Sequence, residues 1–138
     1  MISDSTLIDS IEISSELKNI SQVERLIDKI CDLKKIDEDA YGNMLIAVTE
    51  AVNNAVIHGN CFQKNQKVYI TVSDLEKKLC FSIKDEGKGF EFDNLPDPTA
   101  PENIEKENGR GIFLIRNLAD ELVFEDSGRV ANIYFNHD

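Results

Sequence analysis

Between Glu50 and Asn60 the chain reads E-A-V-N-N-A-V-I-H-G-N. Apolar residues recur there at helical spacing, continuing a series that runs through Tyr41, Met44, Leu45, Val48, Val52, Ala55 and Val56. The stretch therefore predicts the C-terminal half of a long amphipathic helix. On or beside its apolar stripe stand a carboxylate, two adjacent amides and a histidine. Glu50 and Asn54 are four residues apart, which puts them one turn apart on the same helix face. A carboxylate beside a carboxamide at the edge of a core is costly unless something pairs with it. A hydrogen bond within the protein would satisfy the pair, and so would a metal ion holding phosphates.

The rest of the chain supplies the frame for that helix. Residues 7–13, L-I-D-S-I-E-I, alternate as a half-buried strand does. Ser14 and Ser15 are placed to cap a helix to about Lys35, with Leu17, Ile20, Val23, Leu26, Ile27 and Ile30 as its apolar stripe. Asp37 is placed to cap the second helix, and Gly59 to end it as a C-terminal cap. K-V-Y-I-T-V-S-D-L at 67–75 and K-L-C-F-S-I-K-D at 78–85 predict a hairpin turning at Glu76–Lys77. Residues 91–108 hold all three prolines and no apolar period, the mark of a lid or a disordered loop. Gly109-Arg110-Gly111 opens a third helix, and E-L-V-F-E-D, a Ser127–Gly128 turn and V-A-N-I-Y-F close the chain as a second hairpin. This order predicts an α+β two-layer sandwich, a mixed sheet covered on one face by three main helices, within a single domain over residues 1–138.

Charge narrows the partners. With 26 acidic against 15 basic residues the formal net charge is −11, which argues against nucleic acid and anionic membranes as partners. No run approaches the roughly 18 apolar residues of a membrane span, and M-I-S-D-S-T predicts no secretory leader. Cys31, Cys61 and Cys80 follow no disulfide or zinc spacing and read as reduced apolar residues. A cytoplasmic location is expected.

Three constellations could carry chemistry. Asn54 offers an amide oxygen, a suitable hard ligand for Mg2+ when phosphates and waters complete the shell. Glu50, one turn earlier, could take a proton from an attacking hydroxyl or water. Asn53 neighbours this face, and His58 reads as a helix-end residue suited to the C-terminal dipole. In Asp85-Glu86-Gly87-Lys88-Gly89, Gly87 and Gly89 allow close backbone approach to a ligand, and Asp85 could accept a hydrogen bond from an exocyclic amino group. The alternative for that stretch is a strand-ending turn with solvated acids. Gly109 and Gly111 would leave helix amides open to an anion, or would simply be a hinge.

Taken together and in this order, T-E-A-V-N-N-A-V-I-H-G-N, D-E-G-K-G-F and G-R-G-I-F-L-I resemble the N box and two glycine boxes of the Bergerat-fold (GHKL) ATPase superfamily, shared by DNA gyrase and histidine kinases. The resemblance spans roughly residues 10–135. The form of the first box looks most like the bacterial anti-sigma factor serine/threonine kinases. That resemblance implies ATP and Mg2+ as cofactors, a STAS-domain anti-sigma antagonist as the phosphorylated partner, a sigma factor as a second partner, and a homodimer. It gives Asn54 the Mg2+, Glu50 the catalytic base, Asp85 the adenine amino group, and Gly87 and Gly89 room for the base. Gly109, Arg110, Gly111 and Ile112 fall in the phosphate-binding turn, and residues 91–108 become the ATP lid. Two features depart from the pattern. Asn132, in R-V-A-N-I-Y-F, stands where many relatives carry a Gly-Thr pair, so it replaces the threonine near adenine or the contact is missing. The lid is acidic, leaving Lys106 or Arg110 to meet the γ-phosphate. Two alternatives follow: a nucleotide-sensing module that sequesters a partner without phosphorylating it, and a detached histidine-kinase ATPase domain.

Overall fold

The computed structural model describes residues 6–88 and 107–137, with the side chains of 107–110 outside the description. Period-two alternation produces β1 (Thr6–Ser14), β2 (Lys67–Asp74), β3 (Lys78–Lys84), β4 (Glu121–Glu125) and β5 (Val130–Asn136). They form one sheet in the order β1-β2-β3-β5-β4. Helices α1 (Ile20–Leu33), α2 (Glu38–Asn54) and α3 (Glu107–Leu118) pack onto it. The α+β two-layer sandwich is as expected.

The sheet is antiparallel at every pairing, not mixed. The connections explain why. Two helices in succession, α1 and α2, bring the chain back so that β2 runs opposite to β1. A single helix, α3, leaves β4 parallel to β3, but β5 inserts between them and pairs antiparallel with both. Among the described residues, the final hairpin thus separates the two strands that the crossover through α3 leaves parallel.

The core lies between sheet and helices. Val68, Ile70 and Val72 of β2, Leu79 and Phe81 of β3, and Ile133 of β5 are fully buried. They meet Val23, Ile27 and Ile30 of α1 and Met44, Val48 and Val52 of α2. Phe81 and Phe135 pack edge to face with ring centres 5.9 Å apart, the arrangement their quadrupoles favour. Each large side chain buried this way contributes about 2 kcal/mol.

The helix ends divide between expectation and correction. Asp37 caps α2, its carboxylate accepting from the Ala40 amide at 2.8 Å. Ser14 and Ser15 do not cap α1, which begins at Ile20 after a short 3-10 turn and carries no side-chain cap. Ser15 is fully buried and donates instead to the Gln66 carbonyl at 2.7 Å. Among the cysteines, Cys31 and Cys80 are buried as expected, but Cys61 is exposed. Burial pushes the Cys31 thiol up to about 11, so it stays protonated at neutral pH.

Candidate functional site

The regular winding of α2 ends at Asn54, and Ala55–Gly59 continue as a wider π-helical turn. Such turns recur at functional sites because they re-aim the side chains that follow. Gly59 is not the C-terminal cap its position suggested. It lies inside the π turn, followed by Asn60 at φ −87, and the positive-φ residues come later, at Cys61 and Phe62. Its lack of a side chain serves another contact. A Cβ on Gly59 would overlap the Asp85 carboxylate, lying 3.0 Å from its Oδ1 even on the wider side.

Asp85 follows the last residue of β3 and is 7% exposed. Its Oδ1 accepts from the Gly87 amide at 2.8 Å. Burial pushes its carboxyl above the usual range, while the Gly87 N–H and the nearby Arg129 charge pull it back. Gly87 has no room for a side chain, because a Cβ there would run into the Gly59 carbonyl. Gly59 and Gly87 are therefore packed backbone to backbone, with the Asp85 carboxylate against both.

The second half of the site lies where α2 meets α3. A Cβ on Gly111 would overlap Glu50 Oε1 and sit 3.0 Å from Asn54 Nδ2. The two helices touch through that glycine, and the start of α3 lies against the Glu50–Asn54 pair. Gly109 falls in the first turn of α3, which begins two residues earlier than expected. Gly89, Lys106 and residues 91–106 lie outside the described residues, as does the Arg110 side chain.

Between the halves opens a cavity of about 290 Å³, with Asn54, His58, Asp85, Ile112, Phe124 and Arg129 among its lining residues. Its walls are largely apolar, with Ala51, Ala55, Ile83, Ile115 and Ala131 completing them. A buried carboxylate at the edge of an apolar slot suits a flat heteroaromatic base bearing an amino group. Among the described residues no group of three or more His, Cys, Asp or Glu could hold a metal ion. Asn54, with one amide oxygen, fits a cation that brings its own anionic ligands. His58 is exposed in the last turn and lines the cavity.

Asn132 does not reach the cavity. Strand alternation puts it on the sheet face away from Ala131 and Ile133, where it accepts from Ser82 and donates to Glu125. Two site residues were not singled out from the sequence. Asn60, 1% exposed, accepts from the Glu86 amide at 2.8 Å and donates to Ser15 and to the Lys67 carbonyl. Arg129 donates through Nε to the Gly87 carbonyl at 2.7 Å. Its signal lay in strand register: once Lys84 pairs with Val130, Arg129 comes opposite Asp85.

An antiparallel sheet, one helical layer and a crevice between them edged by these boxes define a Bergerat-type (GHKL) domain. The chain belongs to the histidine kinase-like ATPase domain family, which it matches over residues 13–135. It is 39% identical to the serine-protein kinase RsbW of Staphylococcus aureus strains JH9 and Newman, over 60% of this chain and 57% of each relative. The chain thus spans little more than half the length of the curated relatives it matches. A crystal structure of the RsbU and RsbW domains of Rv1364c from Mycobacterium tuberculosis superimposes with a TM-score of 0.63 at 13% identity. That match covers 94% of this chain and 32% of the other, and is a likeness of fold.

Proposed function

We propose that the protein binds Mg-ATP in this cavity and phosphorylates a serine or threonine of a STAS-domain anti-sigma antagonist, switching the binding of a sigma factor. The observation that carries the reading is the packing of Glu50 and Asn54 against Gly111 at the start of α3. In this reading Asp85 accepts from the adenine amino group, and Ile112 and the apolar walls flank the base. Asn54 holds Mg2+, which supplies charge neutralisation at the phosphates. The free amides of the first turn of α3, that of Gly109 among them, serve the phosphates in this reading, where the helix dipole favours anions. Glu50 takes the proton of the partner's hydroxyl as its oxygen bonds to the γ-phosphorus and the bond to ADP breaks. No helix among the described residues is long and apolar enough to cross a membrane, which fits action in the cytoplasm. A homodimer belongs to the same reading.

The test uses Mg-ATP, the protein and a STAS-domain substrate. Glu50→Gln is expected to keep nucleotide binding by calorimetry and to lower phosphoryl transfer at least 100-fold. Transfer at the wild-type rate would remove Glu50 as the base. A second reading, a nucleotide sensor that sequesters its partner without transfer, is favoured by one observation: Asn132 is engaged by Ser82 and Glu125. It predicts Mg-ATP binding without phosphorylation of any partner by the wild-type protein.

A further inference from the structure

Segment 85–88 carries the carboxylate that the nucleotide reading assigns to the base, yet it belongs to no helix or strand. Gly87 can add no side-chain contact of its own, because the Gly59 carbonyl fills that space. The Glu86 carboxylate ties the segment to β2, accepting from the Lys67 amide at 2.5 Å and the Tyr69 hydroxyl at 3.4 Å, and the backbone at Glu86, Gly87 and Lys88 is gripped from outside. On one side Asn60 does so, through the Glu86 amide. On the other side stands Arg129. Its Nε donates to the Gly87 carbonyl at 2.7 Å and its Nη2 to the Lys88 carbonyl at 3.3 Å. Its Nη1 reaches the Asp126 carbonyl at 3.1 Å and that residue's Oδ1 at 3.3 Å. The Arg129 carbonyl also accepts from the Asp85 amide at 3.0 Å.

We propose that Arg129 is a positioning residue of the nucleotide site: its guanidinium locks the Gly87–Lys88 backbone to the β4–β5 turn and so fixes the Asp85 carboxylate at the cavity. The inference rests on the nucleotide-binding reading above. The planar, fixed fork of arginine can hold two successive carbonyls and the turn at once, which a lysine ammonium on a flexible stem cannot. Arg129 also faces Asp85 electrostatically. Among the described residues, the charged or titratable groups that face that carboxylate include Arg129 and Asp126 of the β4–β5 turn and His58 of the cavity lining. Asp85 must be ionised to accept from an amino group without competition from its own proton. Removing the Arg129 charge therefore moves the acid limb of nucleotide binding to higher pH.

Amide hydrogen exchange at residues 85–88 of the nucleotide-free protein and Mg-ATP calorimetry across pH 4–8 test this on wild type, Arg129→Ala and Arg129→Lys. Arg129→Ala is expected to exchange faster at 85–88 and to bind Mg-ATP roughly tenfold more weakly, with its acid limb displaced upward. Arg129→Lys is expected to keep the wild-type acid limb while exchanging faster and binding with intermediate affinity. Wild-type exchange and affinity in Arg129→Ala overturn the proposal. Should Arg129→Ala fail to fold, the same result in Arg129→Lys overturns it. Absence of Mg-ATP binding by the wild-type protein instead overturns the nucleotide reading, and the base-positioning role with it.

Discussion

Glycine substitutions separate stability from chemistry at single residues. At Gly111 the atoms in the way of a new Cβ are the ends of the Glu50 and Asn54 side chains, and these can swing aside at little cost to the fold. Gly111→Ala is therefore expected to leave the melting temperature within a few degrees of wild type while displacing both groups from their joint position. Phosphoryl transfer should fall by more than about tenfold, measured beside a thermal melt of the same preparation. A melt lowered as much as that of a core truncation would show that the helix contact, and not the polar pair, depends on this glycine. The contrast with Gly87 is instructive, since there the obstacle is the backbone carbonyl of Gly59 and cannot rotate away. The same scale shows what the sequence could reveal. The Glu50–Asn54 pair was legible because helical spacing alone puts i and i+4 on one face. The Arg129–Gly87 contact was not, because its partners are 42 residues apart and meet only through the pairing of β3 with β5.

At the scale of elements, α2 carries a glycine with no evident task. Gly42 lies in the helix interior, and a Cβ there would meet nothing within 4 Å. Gly42→Ala should raise stability by about 0.5–1 kcal/mol by reducing the freedom of the unfolded chain. Denaturant unfolding checks this, with an unchanged m-value and a shifted midpoint expected; a lower midpoint would mean that the site of Gly42 is closed by something else. The elements themselves were largely readable. Val68, Ile70 and Val72 alternate clearly enough to define β2, and Asp37 caps where its residue type and position predicted. The serines at 14 and 15 misled because a capping residue type near a helix start is equally able to make a distant contact, as Ser15 does with Gln66 and Asn60. The antiparallel sheet was hidden for a different reason. Local periodicity defines strands, but the insertion of β5 between β3 and β4 is a long-range choice.

Across the whole molecule, the end of the sheet remote from the cavity is held by an ion pair. Lys34, in the link between α1 and α2, meets Asp74 at the end of β2 at 2.5 Å, their side chains 29% and 17% exposed. The Lys34 hydrogen bond, more than its charge alone, holds the Asp74 carboxyl below the usual carboxylate range. His137 lies 3.6 Å from the other oxygen. Because the folded value is depressed, this pair adds stability above the unfolded carboxylate pKa near 3.9, and loses it as pH falls through the folded value. Lys34→Gln is thus expected to cost about 1 kcal/mol at pH 7, the difference from wild type narrowing below about pH 4. Parallel unfolding curves at pH 7 and pH 3 measure it; an equal deficit at both would assign the loss to packing instead.

The π-helical turn after Asn54 has a consequence for how the chain tolerates changes in length. Such a turn holds one residue more than the α-helical turn it replaces. Losing one residue between 55 and 59 would let α2 run on with ordinary winding, and the residues beyond would keep nearly the same direction about the helix axis, because the deletion removes the residue that the wider turn had absorbed. The side chains within the turn, His58 among them, would be re-aimed, although the helix itself would be more regular than before. Secondary structure would hide the damage. The extra residue between Asn54 and Asn60 thus sets the aim of the turn's own side chains, while the two halves of the cavity tolerate its loss.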